Sequence, residues 1–199
     1  MKLEIRNAQA RDLPEIKRLI DVYIAEDYYS LEELEELLHG DEHLFYVVTD
    51  ADRGGAIVSY FYGFLSALDK ALPLLHVSQK PEKLLGYDGD TLVGVYKTSS
   101  TEKEYQGHGI CSSFIRGLEP VLRERGAKLI LATALRPLGR EVPMRHIFER
   151  NGFSAIAEIP RPWVDMYLYC PYCQQHHCIC DAVFYMKKLD DTKGGDFSE

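Results

Sequence analysis

The sequence predicts a mixed α/β domain, an α+β arrangement around one mixed sheet. Three observations carry that expectation: apolar residues that switch between two-residue and helical spacing, a glycine doublet between a strand pattern and a helix pattern, and a closing pair of strand patterns separated by a cysteine cluster. A chain of 199 residues, 46% hydrophobic and 27% charged, suits one compact core with a small appendage.

Residues 3–6 alternate as a short strand, after which Leu13, Ile16, Leu19, Ile20 and Tyr23 recur at helical spacing, with Asp12 placed to cap that helix ahead of Pro14. Ser30 and Glu33 form a capping-box pair opening a second helix that carries Leu34, Leu37 and Leu38 and ends at Gly40. Residues 44–49 and 56–65 are rich in Val, Ile, Phe and Tyr, and the turn chemistry of residues 50–55 predicts an antiparallel pair. Residues 69–90, punctuated by Pro73, Pro81 and Gly86, are expected to form an inserted loop with one helical turn.

Residues 91–101 alternate again, with Val93 and Val95 on one face. Beyond the glycines, Ile110, Phe114, Leu118, Val121 and Leu122 mark a helix running to Arg125, where Gly126 supplies a left-handed end. Residues 128–134 read as a buried strand, 143–150 as a helix stopped by Asn151 and Gly152, 153–158 as a strand, and 181–188 as a last strand antiparallel to it. One domain is expected over residues 1–189, with residues 190–199 as a flexible tail.

The net charge of −8, without any Lys/Arg-dense segment, argues against a nucleic-acid partner and fits an amine-bearing one. No apolar run approaches the roughly 20 residues of a membrane span, and the first residues lack the apolar stretch of a secretory signal. No membrane partner is expected, and the location read from this is cytoplasmic.

The chemistry concentrates in two places. The first is Gln106-Gly107-His108-Gly109-Ile110-Cys111, followed by Ser112. Two glycines let backbone approach a ligand closely, and the helix that begins there presents unpaired N–H groups and the positive end of its dipole, so an anion should bind. A Walker loop needs Gly-Lys-Ser/Thr, and the dinucleotide fingerprint needs a third glycine where this chain has Ser112.

This loop resembles the pyrophosphate loop of the GNAT superfamily, Gln/Arg-x-x-Gly-x-Gly/Ala, with Cys111 in place of the last small residue. The resemblance extends to the Ile5-Arg6 strand, to Asp12-Leu13, to Tyr105 before the loop, and to the run from Phe148 to Phe153, which looks like the family's Tyr-x-x-x-Gly-Phe. It implies the GNAT acyl-CoA N-acyltransferase fold, with a splayed gap between the fourth and fifth strands. Acetyl-CoA would lie there, its pyrophosphate on the backbone amides from Gly107 through Ser112 and Thr101 near the thioester. The implied activity is N-acetyltransfer to a primary amine of a small molecule or protein, by direct attack in a ternary complex.

The chain departs from the family where the Tyr that often protonates the coenzyme thiolate maps onto Phe148. Tyr167 and Tyr169 are the nearest substitutes in sequence; otherwise the thiolate leaves unassisted, or activity is lost. Glu102 and Glu104 flank the loop as a surface charge run and leave the general base unassigned. A covalent acetyl-Cys111 is disfavoured, because the one nearby histidine, His108, sits on the loop itself.

The second place is the span 170–180, where Cys170, Cys173, Cys178 and Cys180 crowd together with His176 and His177. Cys-x-x-Cys supplies two soft ligands from one turn, so structural zinc on the four cysteines is the leading reading, with either histidine able to displace one of them. A redox role for Cys-Pro-Tyr-Cys, or unligated thiols in a hairpin loop, are the competing readings. For the whole chain, the alternatives to an acetyltransferase are a catalytically silent acyl-CoA sensor and a zinc-organised protein-interaction domain.

Overall fold

The computed structural model describes residues 1–189; the tail expected at 190–199 lies outside the described residues. The alternating patterns become strands β1 (Leu3–Asn7), β2 (His43–Asp50), β3 (Ala56–Ala67), β4 (Leu92–Thr101), β5 (Leu129–Arg136), β6 (Ser154–Ile159) and β7 (Asp181–Lys188). They form one sheet in the order β1-β2-β3-β4-β5-β7-β6. Every neighbouring pair is antiparallel except β4 with β5. A parallel pair needs a crossover, and helix α4 (Ile110–Glu124) provides it.

The remaining helices are α1 (Leu13–Tyr23), α2 (Leu31–Glu36), α3 (Leu68–Leu74) and α5 (Arg145–Arg150). Helices α1 to α3 bury Ile16, Leu34 and Leu72 in one core with Val93, Leu129 and Phe184 of the sheet. Helices α4 and α5 bury Phe114, Leu118 and Phe148 in a second core with Phe61, Ile130 and Tyr185. The capping box of α2 is present in full: Ser30 Oγ accepts from the Glu33 amide at 3.1 Å, and the Glu33 carboxylate accepts from the Ser30 amide at 2.7 Å.

Two expectations are corrected. The Asp12 carboxylate does not cap α1; it accepts from both Arg6 guanidinium nitrogens, at 2.6 and 2.9 Å, and from the Gln9 amide at 2.9 Å. The segment read as a loop with one turn holds α3, whose Leu68, Ala71 and Leu72 are buried. Pro73 suggested a break, but it falls in the last turn of a short helix and removes one intrahelical donor.

Strand β4 is irregular on both edges at the same place. Toward β3, Gly63 faces Tyr96 and Tyr62 faces Thr98, so Lys97 is the extra residue of a β-bulge. Toward β5, pairing runs only from Val93–Leu129 to Tyr96–Ala132, although both strands continue for four or five residues more. Position 63 is glycine for a steric reason, since a Cβ there would stand 2.4 Å from the Val95 carbonyl oxygen. Gly63→Ala is expected to lower stability by about 1–3 kcal/mol in urea denaturation; an unchanged midpoint would contradict this packing of the bulge.

Candidate active site

The parting of β4 and β5 opens a cavity of about 180 Å³. Residues 96–99 of β4 and 133–135 of β5 form two sides, and Met144 and Phe148 contribute from the α5 side. Tyr23 and Tyr28, at and beyond the end of α1, form another wall. The connection from β6 to β7 completes it with Trp163, Leu168, Cys170, Tyr172 and Cys178. The walls are mainly apolar and aromatic, as small-molecule sites generally are.

The glycine loop lies at the end of β4 that carries Thr101. Gly107 and Gly109 have φ of +82° and +79°, in the left-handed region where L side chains are strained, while nothing stands within 4 Å of a Cβ at either position. Conformation, not crowding, demands glycine there. Gly109 is the N-cap of α4; it has no side chain to cap that end, and the first turn holds no acidic residue. The first-turn amides therefore open a fifteen-residue helix that its N-cap residue leaves uncovered.

Other residues of the motif hold the loop in place. Gln106 Nε2 donates to the Thr101 carbonyl at 3.0 Å, tying the loop back to β4. Tyr105 donates to the buried Asp50 carboxylate at 2.7 Å, and Ser112 Oγ accepts from Asn151 Nδ2 at 2.9 Å. Thr101 is buried with its hydroxyl 2.9 Å from Ser59 Oγ and does not line the cavity, and His108 is exposed. Burial raises the Cys111 thiol, outweighing the opposing hydrogen bonds with Thr101, Ser99 and Tyr96, so this thiol keeps its proton. An activated nucleophile needs the reverse.

Phe148 is buried in an aromatic cluster, its ring centroid 4.9 Å from those of Phe153 and Tyr185 and 5.6 Å from that of Tyr96. The hydroxyl missing at Phe148 is present next to it. Tyr96 lines the cavity, and its OH is 2.5 Å from Ser99 Oγ. Burial holds the Tyr96 phenol well above its ordinary range, so it stays a hydrogen-bond donor at neutral pH. Tyr167 and Tyr169, the substitutes suggested by sequence, do not line the cavity: Tyr167 is 72% exposed, and its ring stacks on His176. In sequence Tyr96 is one more apolar position in an alternating strand; only its place at the last β4–β5 pair sets it apart.

The two glutamates flanking the loop are also accounted for. Glu102 ion-pairs with Arg18 and accepts from Tyr23 OH at 2.8 Å. Burial alone would raise its carboxyl, but these partners together bring it below the ordinary value. Glu104 is an exposed partner of Arg53.

The cysteine knuckle is a hairpin. The Cys170 amide donates to the Gln175 carbonyl at 3.0 Å, the Gln174 amide donates to the Cys170 carbonyl at 2.8 Å, and Gln174 takes a left-handed φ of 56°. This turn lets a loop of only residues 174–177 join the two cysteine pairs. The sulfurs of Cys170, Cys173, Cys178 and Cys180 all lie within 4.8 Å of one another, with Cys173 and Cys178 3.9 Å apart. A tetrahedron with Zn–S bonds of 2.3 Å has sulfurs about 3.8 Å apart, so the set fits that ion. All four thiols are free, as ligation by four sulfurs requires. Neither histidine joins the set: His177 Nδ1 bonds the Val164 carbonyl at 2.9 Å, and His176 packs between Tyr167 and Tyr169.

No protein-family model matches the chain, and no curated protein matches it in sequence. Solved structures do. Arabidopsis thaliana NAA60 in complex with acetyl-CoA superposes with a TM-score of 0.70 at 13% identity, over 94% of this chain and 98% of that one. The ribosomal-protein-S18-alanine N-acetyltransferase from Escherichia coli gives 0.62 at 14% over the whole of both chains. Chaetomium thermophilum Naa20 in complex with a bisubstrate analogue gives 0.68 at 14%, over 93% of this chain and 86% of that one. The fold is thus that of the GNAT N-acetyltransferases, with the cysteine-rich segment inserted between the last two strands. At these identities the likeness is one of fold.

The geometry of the knuckle predicts that the purified protein binds one zinc ion per chain. Cys170→Ser or Cys173→Ser should abolish that content in atomic absorption, and His176→Ala or His177→Ala should leave it intact. Zinc loss in a histidine variant alone would overturn the four-thiolate assignment.

Proposed function

We propose that residues 1–189 act as one GNAT domain that transfers acetyl from acetyl-CoA to a primary amine by direct attack in a ternary complex. The observation that carries this reading is the position of the cavity: it opens where β4 and β5 part, at the end of the sheet where the uncapped helix N-terminus stands. Support also comes from the neighbours in fold, one described in complex with acetyl-CoA and another with a bisubstrate analogue.

In this proposal the amides from Gly107 through Ser112 receive the pyrophosphate, and the pantetheine arm lies between β4 and β5. The acetyl thioester then sits beside Tyr96 and Ser99. The amine nitrogen bonds to the carbonyl carbon, the C–S bond breaks, and the proton shed by nitrogen ends on sulfur through solvent. Tyr96 donates a hydrogen bond to the departing sulfur while keeping its own proton. A thiol of pKa about 8.5 leaves readily enough for that to suffice. The apolar walls favour the neutral amine, the form that can attack.

Zinc on Cys170, Cys173, Cys178 and Cys180 would fix the shape of one wall, since Cys170 and Cys178 line the cavity. Four protein ligands leave no open position, so the ion's role is structural. The free thiols suit a reducing compartment such as the cytoplasm.

Calorimetry with acetyl-CoA, and a free-thiol assay with a panel of amines, test the proposal. Binding with steady coenzyme A release supports it. Binding without release for any amine would make the chain a silent acyl-CoA sensor, and no binding would leave a zinc-organised interaction domain. Tyr96→Phe should cut kcat by about a hundredfold with acetyl-CoA affinity kept. Gly109→Val should weaken acetyl-CoA binding by about tenfold, through left-handed strain of 1–2 kcal/mol.

A further inference from the structure

Charge is unevenly placed around the cavity. The chain carries a net −8, yet among the described residues no Asp or Glu lines this space; its ionisable nitrogens are Lys97 and His76. Lys97 stands there because it is the extra residue of the β4 bulge, the kind of irregularity that re-aims a side chain. Its Nζ donates to the Leu74 carbonyl at 2.6 Å, and among the described residues it pairs with no carboxylate.

Desolvation pulls the Lys97 ammonium down to about 8, the mark of a cation removed from water without a counter-ion. Burial, and then the Lys97 charge, push His76 below its ordinary value, which leaves Lys97 as the positive group at neutral pH. The next residue, Thr98, is 7% exposed, lines the same cavity, and its hydroxyl makes no hydrogen bond of normal geometry. Around these polar atoms the wall is apolar or aromatic: Leu75, Leu135, Phe148, Trp163 and Leu168.

A half-buried ammonium whose printed partner is one neutral carbonyl, and a buried hydroxyl without a well-formed hydrogen bond, are costly alone, and one anionic group could satisfy both. A second cation on the ligand would meet Lys97 with no carboxylate nearby to offset it. We infer that the acetyl acceptor is a small apolar amine bearing a carboxylate, of the kind a free hydrophobic amino acid presents. The carboxylate seats on Lys97 and Thr98, and the apolar side chain lies against the aromatic wall. Lys97 adjoins Tyr96 in sequence, so a carboxylate there holds an amine one carbon away close to the thioester position. For its reaction this inference rests on the acetyltransferase reading; for binding it stands alone.

Trp163 is the single tryptophan of the chain and lines the cavity, so its fluorescence reports occupancy without turnover. The full chain is titrated with L-leucine, L-methionine and L-phenylalanine, with their amides, and with the matching decarboxylated amines, with and without coenzyme A. Coenzyme A release from acetyl-CoA is measured for the same compounds.

At least one free amino acid should bind, and be acetylated, about tenfold or more better than its amide and its decarboxylated amine. K97M should bring that ratio close to one, and K97R should retain most of it, which separates loss of charge from loss of fold. Amides or simple amines that match the acids, or a preference that survives K97M, would overturn the inference while leaving acetyl transfer standing. Lys97-dependent binding of the acids without coenzyme A release would do the opposite, keeping the site and ending the transferase reading.

Discussion

When two parallel strands stop pairing before either of them ends, the backbone N–H and C=O groups that face the gap need other partners, and inside a protein such groups are rarely left alone. In this chain β4 and β5 share pairs only as far as Tyr96 and Ala132. Residues 97–99 of β4 and 133–135 of β5 border a space that the side chains of the described residues leave open. The other peculiarities of the region follow from keeping that space open. Gly63 accommodates the bulge at Lys97, and α4 begins after Gly109, an N-cap without a side chain. Gly94 lets α4 pack close, since a Cβ there would come within 2.6 Å of the Leu122 side chain.

The far wall of the gap belongs to a segment with little regular structure. From Pro160 to Cys180 the chain makes turns, bends and two isolated bridges, one of them joining Tyr169 to Glu26 beyond α1. Such a stretch has little apolar area with which to fix itself. Its order comes from the packed cysteines, from Leu135 and Trp163 against them, and from Arg136, which ion-pairs with Glu158 and Asp181 at the base of the hairpin. Because Trp163, Cys170 and Cys178 also line the cavity, whatever holds the four sulfurs together also sets the shape of the pocket. That couples the cysteine chemistry to the wall of the cavity.

The strands and helices α1, α2 and α4 were legible because their apolar periods are regular and because Ser30 marks the start of α2 and Gly109 and Gly126 flank α4. The glycine loop was legible because two left-handed positions ahead of a helix leave a trace in the sequence. The cysteine spacing pointed to a metal, but only geometry separated the four sulfurs from His176 and His177. Tyr96 and Lys97 could not be singled out, since a bulge and a truncated pairing depend on the registers of β3 and β5, which leave no mark within β4 itself. Helix α3 was missed because Pro73 outweighed the spacing of Leu68, Ala71, Leu72 and Leu75. Asp12 was misassigned because a buried carboxylate near a helix start serves equally well as the partner of Arg6.

The central claim is that the space between β4 and β5 receives a thioester carrier whose diphosphate rests on the first turn of α4. A crystal structure of the chain with a non-hydrolysable acetyl-CoA analogue tests it most directly. The account predicts diphosphate oxygens within hydrogen-bond distance of the amides between Gly107 and Ser112, and the acyl group beside Tyr96. An analogue bound elsewhere, with that helix end facing only solvent, would contradict it.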